Sequence, residues 1–398
     1  MARVAWGKFT IEEVERKDMR QLAAILVFSC LFFSCGKNRP DKASKTGQLV
    51  INPQFDLAEP FSQGVAAVRI GDEEAGKWGF IDKQGGFVVN PQFDEAIDFS
   101  EGVAAVRIGD DKTGKWGFID KEGKFVVNPQ FEGLDSFSEG LAAALHEGKW
   151  GFIDKQGKLM ISPQFDDVQG FKYGLAAVHV GDTSVRTGTD IFSRFGGLLV
   201  HSAGKWGFIN RQGKLVINPQ FEEAWTFSES LTAVRIGDDK TGQYGVIDEQ
   251  GHFVVNPQYG FIAAFRDGLS MAYSRGKQAG FIDPTGYFVI EPQFDSANSF
   301  GEGLAAVRIG DERTGKWGYI DKQGKFAVNP QFDNGRSFSQ GLAAVRIGDD
   351  KTGKWGYIDK QGKFVVNPQF AYAGEFSDGL AEVQIGDDRT GRWGYIGR

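Results

Sequence analysis

The segment KWGYIDKQGKFVVNPQF, beginning at Lys354, is a near copy of KWGFIDKQGKLMISPQF, beginning at Lys149. Trp-Gly pairs begin at Trp78, Trp116, Trp150, Trp206, Trp317, Trp355 and Trp393, while Tyr244 and Ala279 hold the same place in two more copies. The motif Pro-Gln-Phe, or Pro-Gln-Tyr in one copy, also occurs nine times, from Pro53 to Pro368. The usual step is 38 residues, as between Trp78 and Trp116. Such copying constrains the fold more than any other property of the chain, because one short unit cannot bury its apolar faces alone and must pack on its neighbours. The usual division of 398 residues into two or three domains therefore does not apply.

Each copy reads as three strands. GVAAVRIG from Gly102 alternates small or branched apolar residues with others and predicts a strand, A. KWGFID from Lys115 puts Trp116 and Phe118 on one face and Ile119 on the other, so strand B should be covered on both sides. DKEGK then places Gly123 where a bulged turn needs a left-handed residue, returning the chain as strand C, FVVNPQF. Pro129 has no N–H to give and puts C on an edge or ends its pairing. The repeated tryptophans are expected to pack between units, with the adjacent glycine admitting a neighbouring backbone. Length varies only in the A–B connection, which is GDDKTGK in most copies and swells to an insertion at about 180–204.

Motif, order and period together resemble the WG (KWG) repeat family from about Gln48 to the C-terminus. The resemblance implies repetitive β-structure and little about biochemical role. The expected fold is all-β: nine tandem hairpin or meander repeats over residues 48–398, stacked as an open or spiral β-solenoid. The alternative is a closed β-propeller. The chain enters the array with a strand C and leaves it with A and B, a split that would close a ring, but nine blades exceed the usual four to eight.

Before the repeats, the apolar run from Leu22 to Ser34 is too short to cross a bilayer and reads as a signal-peptide core. Its end, LFFSCGKN, resembles a bacterial lipoprotein signal, which implies lipidation of Cys35, with Cys30 as the fallback. Residues 1–35 are thus a signal region, with Met19 as the expected start of translation, and residues 36–47 a polar tether. Several acyl chains on one cysteine would anchor stably. Both cysteines lie here, so the repeats hold no disulfide or thiolate site.

Chemistry is scarce elsewhere. The four histidines are scattered, no G-x-S-x-G nucleophile turn exists, and paired carboxylates such as Asp110 and Asp111 sit at solvated loop tips. GDDKTG departs from calcium-loop patterns, so neither metal nor cofactor is expected. A net charge of −7 without a basic stripe argues against nucleic acid. Arg69, Arg107, Arg235, Arg308 and Arg346 share one position of A and would form a ladder in a stacked array, with Asp82, Asp120, Asp321 and Asp359 as neighbours to pair with. The least regular part is the middle. Ile191, Phe192, Phe195, Leu198 and Leu199 of the insertion, with Tyr244 and Tyr259, make the candidate contact patch. The expected role is that of a non-catalytic binding or scaffolding surface, lipid-anchored at the outer membrane, periplasm or cell surface, for an envelope protein or a glycan. A cell-wall carbohydrate-binding module is the alternative, and an enzyme with a site near the insertion the remoter one.

Overall fold

A computed structural model describes residues 46–181, 204–238, 240–274, 278–387 and 390–398. All lie in the compact unit Ser44–Arg398. They form nine four-stranded antiparallel sheets, one per repeat. The second sheet, blade 2, is typical, with a short strand Glu95–Ala96, A at Ala104–Ile108, B at Lys115–Ile119 and C at Phe125–Phe131, hydrogen-bonded in that order. The short strand was not anticipated.

Strands A and B pair in unbroken register, Ala105 opposite Phe118 and Arg107 opposite Trp116. Between B and C the register breaks. Trp116 faces Phe131 and Phe118 faces Val127, so Gly117 alone opposes Asn128, Pro129 and Gln130. This bulge explains the Trp-Gly pair: a Cβ on Gly117 would lie 2.4 Å from the Val127 carbonyl oxygen and 2.8 Å from the Pro129 nitrogen. Gly79 and Gly356 meet the same obstacle, with Pro91 N at 2.6 Å and Pro368 N at 2.7 Å. Because the obstacle is backbone and cannot rotate away, Gly117→Ala should cost about 3 kcal/mol, the upper part of the overpacking range. Gly102→Ala, with open space at its Cβ but φ 91°, should cost only about 1–2 kcal/mol. Urea unfolding of the two variants checks the ranking.

B is buried on both faces because each core is shared by two blades. Trp116 and Phe118 of blade 2 pack with Val127, Phe131 and, from blade 3, Ala142, Ala144 and Ile153. Ile119, on the opposite face, joins Trp78, Phe80 and Phe93 of blade 1. Small residues in A leave room for these aromatics. Where Ala279 replaces the tryptophan in blade 6, Met271 and Tyr273 pack against the same core and occupy that layer.

The series closes on itself, which overturns the open or spiral solenoid. The first strand, Leu49–Phe55, is the outer strand of blade 9, pairing with Arg392–Gly397 beside Leu380–Ile385 and Tyr372–Ala373. Gly47 N donates to Gly397 O at 2.7 Å and Gly397 N to Gln48 O at 3.0 Å. Ile51, Phe55 and Tyr395 of blade 9 share a core with Phe61, Ala66 and Ile81 of blade 1. Ser377 Oγ donates to Phe61 O at 2.6 Å, repeating the junctions from Ser62 to Phe99 O and Ser100 to Phe137 O, both 2.7 Å. The junction of blades 9 and 1 is built like the others. The molecule is a nine-bladed β-propeller, one blade beyond the usual range.

Ring geometry also dissolves the arginine ladder, since successive arginines lie in different sheets. Arg107 pairs within its own blade, with Glu95 at 3.1 Å and Asp111 at 2.6 Å. Arg69 and Arg308 each lie 6.0 Å over the tryptophan opposite them, Trp78 and Trp317. The aspartates ending B instead close turns: Asp82 accepts from Gln84 N and Gly86 N.

Candidate functional site

The residues nominated from sequence divide in two. Cys30, Cys35, Ile191, Phe192, Phe195, Leu198 and Leu199 lie outside the described residues. Tyr244 and Tyr259 are described and sit in the core, each 6% exposed, so neither contributes to a surface patch. The Tyr244 hydroxyl bonds the Glu223 carboxylate and that of Tyr259 the Gly286 carbonyl. Trp78, Trp116, Trp150, Trp317 and Trp355 are buried, and Trp206 and Trp393 are partly buried against the cores of blades 4 and 9. Loop-tip Asp110 accepts from Lys112 N and Thr113 N, bonds that hold its pKa below the usual carboxylate range. Among the described residues no group of three His, Cys, Asp or Glu could hold a metal ion.

A different place stands out once the blades are superposed. The residue of A opposite the B-strand residue that follows the glycine is alanine in seven blades, from Ala67 to Ala344, and Met271 in blade 6. In blade 9 it is Glu382, opposite Tyr395. Blades 7, 8 and 9 also carry Tyr319, Tyr357 and Tyr395 in B where most others have phenylalanine. Their hydroxyls donate across to the residue following the next short strand: Tyr319 to Arg336 O at 2.9 Å, Tyr357 to Gly374 O and Tyr395 to Glu59 O, both at 2.8 Å.

Gly374 makes the room for Glu382. Its N–H donates to Glu382 O at 2.9 Å, and a Cβ there would fall 1.6 Å from Glu382 Oε1. The carboxyl thus fills the space that a side chain after the short strand takes in other blades. Burial pushes its pKa up to about 8, with the charges of Glu59 and Asp98 adding to the rise and Arg336 opposing it. Burial and then Glu59 push Asp98 up to about 7. Glu59 is raised by burial although water reaches the residue, because protein surrounds its carboxyl on several sides. Arg336, Glu382, Glu59 and Asp98 belong to blades 8, 9, 1 and 2. Residues of four sheets can act on one another only where the short strands converge, at the inner edge of the ring. Arg336 stacks between rings there, 5.2 Å from that of Trp355 and 4.7 Å from that of Tyr372. The glutamate could have been found by aligning LAEVQIG from Leu380 with LAAVRIG from Leu342; Gly374 and the convergence of blades could not.

No curated protein sequence matches the chain. A profile described as "WG containing repeat" matches nine segments: 43–73, 78–112, 116–150, 150–183, 206–239, 244–277, 280–312, 317–351 and 355–387. The chain belongs to the WG repeat family. Each WG match after the first, such as 78–112, starts in B of one blade and ends after A of the next, so the sequence unit straddles two sheets. Among solved structures the WG ring is similar to the tricorn protease (12% identity, 84% of this chain and 42% of that one, TM-score 0.29). It is also similar to BamB from Moraxella catarrhalis (10%, 87% and 99%, 0.39) and Porphyromonas gingivalis dipeptidyl peptidase 4 (8%, 86% and 65%, 0.49). The chain spans less than half the length of the tricorn protease chain. At these identities and scores the likenesses say nothing about activity.

Proposed function

We propose that this WG repeat protein is a lipid-anchored, non-catalytic component of the bacterial cell envelope whose ring serves as a binding or scaffolding surface for another envelope protein. The observation that supports it is the rim. The second residue of the outer strand C is exposed and apolar from blade to blade, as at Val50, Val88, Val126, Met160, Val254 and Val365. The same apolar element thus recurs around the rim, where a partner's surface can cover it. Proline in each C strand removes a donor from the edge, so the rim offers side chains for recognition and resists indiscriminate strand addition. The burial of the repeat tryptophans favours a protein partner over a glycan, since a sugar-stacking array would present them to solvent.

Two measurements test the reading. Metabolic labelling with an alkyne fatty acid should mark the protein, persist in Cys30→Ala and vanish in Cys35→Ala; labelling unaffected by either change removes the anchor. A photo-crosslinker at Val88 should capture one envelope protein of defined mass, lost when Val50 and Val126 of the flanking blades are both changed to Glu, in a chain with or without Thr183–Ala203. No adduct from any rim position would overturn the scaffolding role.

A further inference from the structure

The inner edge of blades 8, 9, 1 and 2 gathers more carboxyl oxygens than its own residues partner. Glu382 is 5% exposed, and its Oε2 has no hydrogen-bond partner. Asp98 Oδ1 is buried and equally unpartnered. A buried carboxylate oxygen without a donor is costly, and native structures rarely keep one without a use. The one cation acting on Glu382 is Arg336, already held between Trp355 and Tyr372. Three carboxyls, of Glu59, Asp98 and Glu382, act on one another here, and this guanidinium acts on Glu382. Aromatic rings stand alongside, with Tyr372 and Trp393 5.0 Å apart and Tyr395 directly opposite Glu382. Glu59 is exposed, so the cluster opens to solvent.

The repeat itself argues that this is no by-product of folding. Seven blades complete the same sheet with alanine at this position, and Gly374 is the residue that lets a carboxyl replace it. A metal ion does not fit, since these three carboxyls do not make a group that could hold one. A larger cation with several N–H donors and an apolar stem does: its donors reach the open carboxyl oxygens and its stem lies along the rings.

We propose that this inner-edge cluster binds a protonated amine, held by Glu382, Asp98 and Glu59 against Tyr395 and Tyr372. The inference is independent of the rim and of the lipid anchor. The amine can be a free diamine or the lysine side chain of a partner. The groups facing the site are Glu59, Asp98, Glu382, Arg336, Tyr357, Tyr372 and Tyr395. The carboxyls among them hold their protons to unusually high pH, so a bound cation expels protons at pH 7.

Isothermal titration of the full chain at pH 7, in two buffers of different ionisation enthalpy, tests this with cadaverine, Nα-acetyl-lysine methylamide and calcium chloride. Saturable binding of an amine tighter than about 1 mM, with net proton release, is expected. It should weaken at least about tenfold in Glu382→Gln and in Asp98→Asn, each of which removes a charge-assisted bond, and be unchanged in Asp110→Asn at a loop tip. Tighter binding of cadaverine identifies a free amine, and tighter binding of the lysine mimic a partner's side chain. Calcium binding without amine binding, amine binding insensitive to both variants, or no saturable amine binding each overturns the proposal.

Discussion

Deleting residues 48–55 abolishes the cooperative melting of the whole ring and does not merely trim an edge strand. That segment supplies Ile51 and Phe55, 2% and 1% exposed, to the core between blades 9 and 1. Loss of a buried isoleucine and a buried phenylalanine costs roughly 5–10 kcal/mol together, comparable with the entire stability of an ordinary domain. It also bares the B strand of blade 9, whose Gly394 carries no side chain to shield the edge. A synthetic peptide of residues 48–56 added in trans should restore the transition by strand addition. In an open array the same deletion would fray one end and leave the main transition within a few degrees of its original position; differential scanning calorimetry separates the two outcomes.

The second large effect is one of pH. Glu382 titrates near its ordinary 4.5 when the chain is unfolded and at about 8 in the ring. Between those values the folded state binds more protons than the unfolded state, so stability falls as pH rises across that window and levels off above it. Asp98, moved from 3.8 to about 7, adds a loss of the same sign over a lower window. At 1.36 kcal/mol for each pKa unit, Glu382 alone accounts for up to about 5 kcal/mol. Glu382→Gln keeps the shape and removes the titration. It should match the parent within about 1 kcal/mol at pH 5 and exceed it by about 3–5 kcal/mol at pH 8.5 in urea unfolding. A parent protein with flat stability between pH 5 and 8 would show that the carboxyl is ionised and solvated throughout.

Much of the fold was legible because its strands are long enough to display a period. GVAAVRIG, KWGFID and FVVNPQF each announce their alternation, and the structure places A, B and C within them. The short strand escaped because two residues such as Glu95 and Ala96 cannot show alternation. Closure escaped for a different reason. The strand split between the two ends was visible, yet nothing local to Leu49–Phe55 distinguishes pairing with Arg392–Gly397 from pairing with nothing. The glycine of the Trp-Gly pair was read correctly as a place of close backbone approach, although the bulge at Pro129 that demands it involves three residues no pattern marks as looped out. The inner-edge carboxyls were the least legible. Glu382 is far from Glu59 and Asp98 in sequence, and only closure of the ring makes blade 9 the neighbour of blade 1.

The break in the chain falls inside blade 9, between its B and C strands, while every other blade is continuous. The protein is therefore a circle cut at one place, and the cut is clasped by a sheet already used elsewhere. Tandem duplication or loss of one 38-residue stretch lying between Leu49–Phe55 and Arg392–Gly397 would add or remove one entire blade and leave both halves of the clasp untouched. Circumference can thus drift during evolution by single genetic events, with the angle between neighbouring blades absorbing the change. On that view nine is a passing count, and relatives of different girth should share the same clasp.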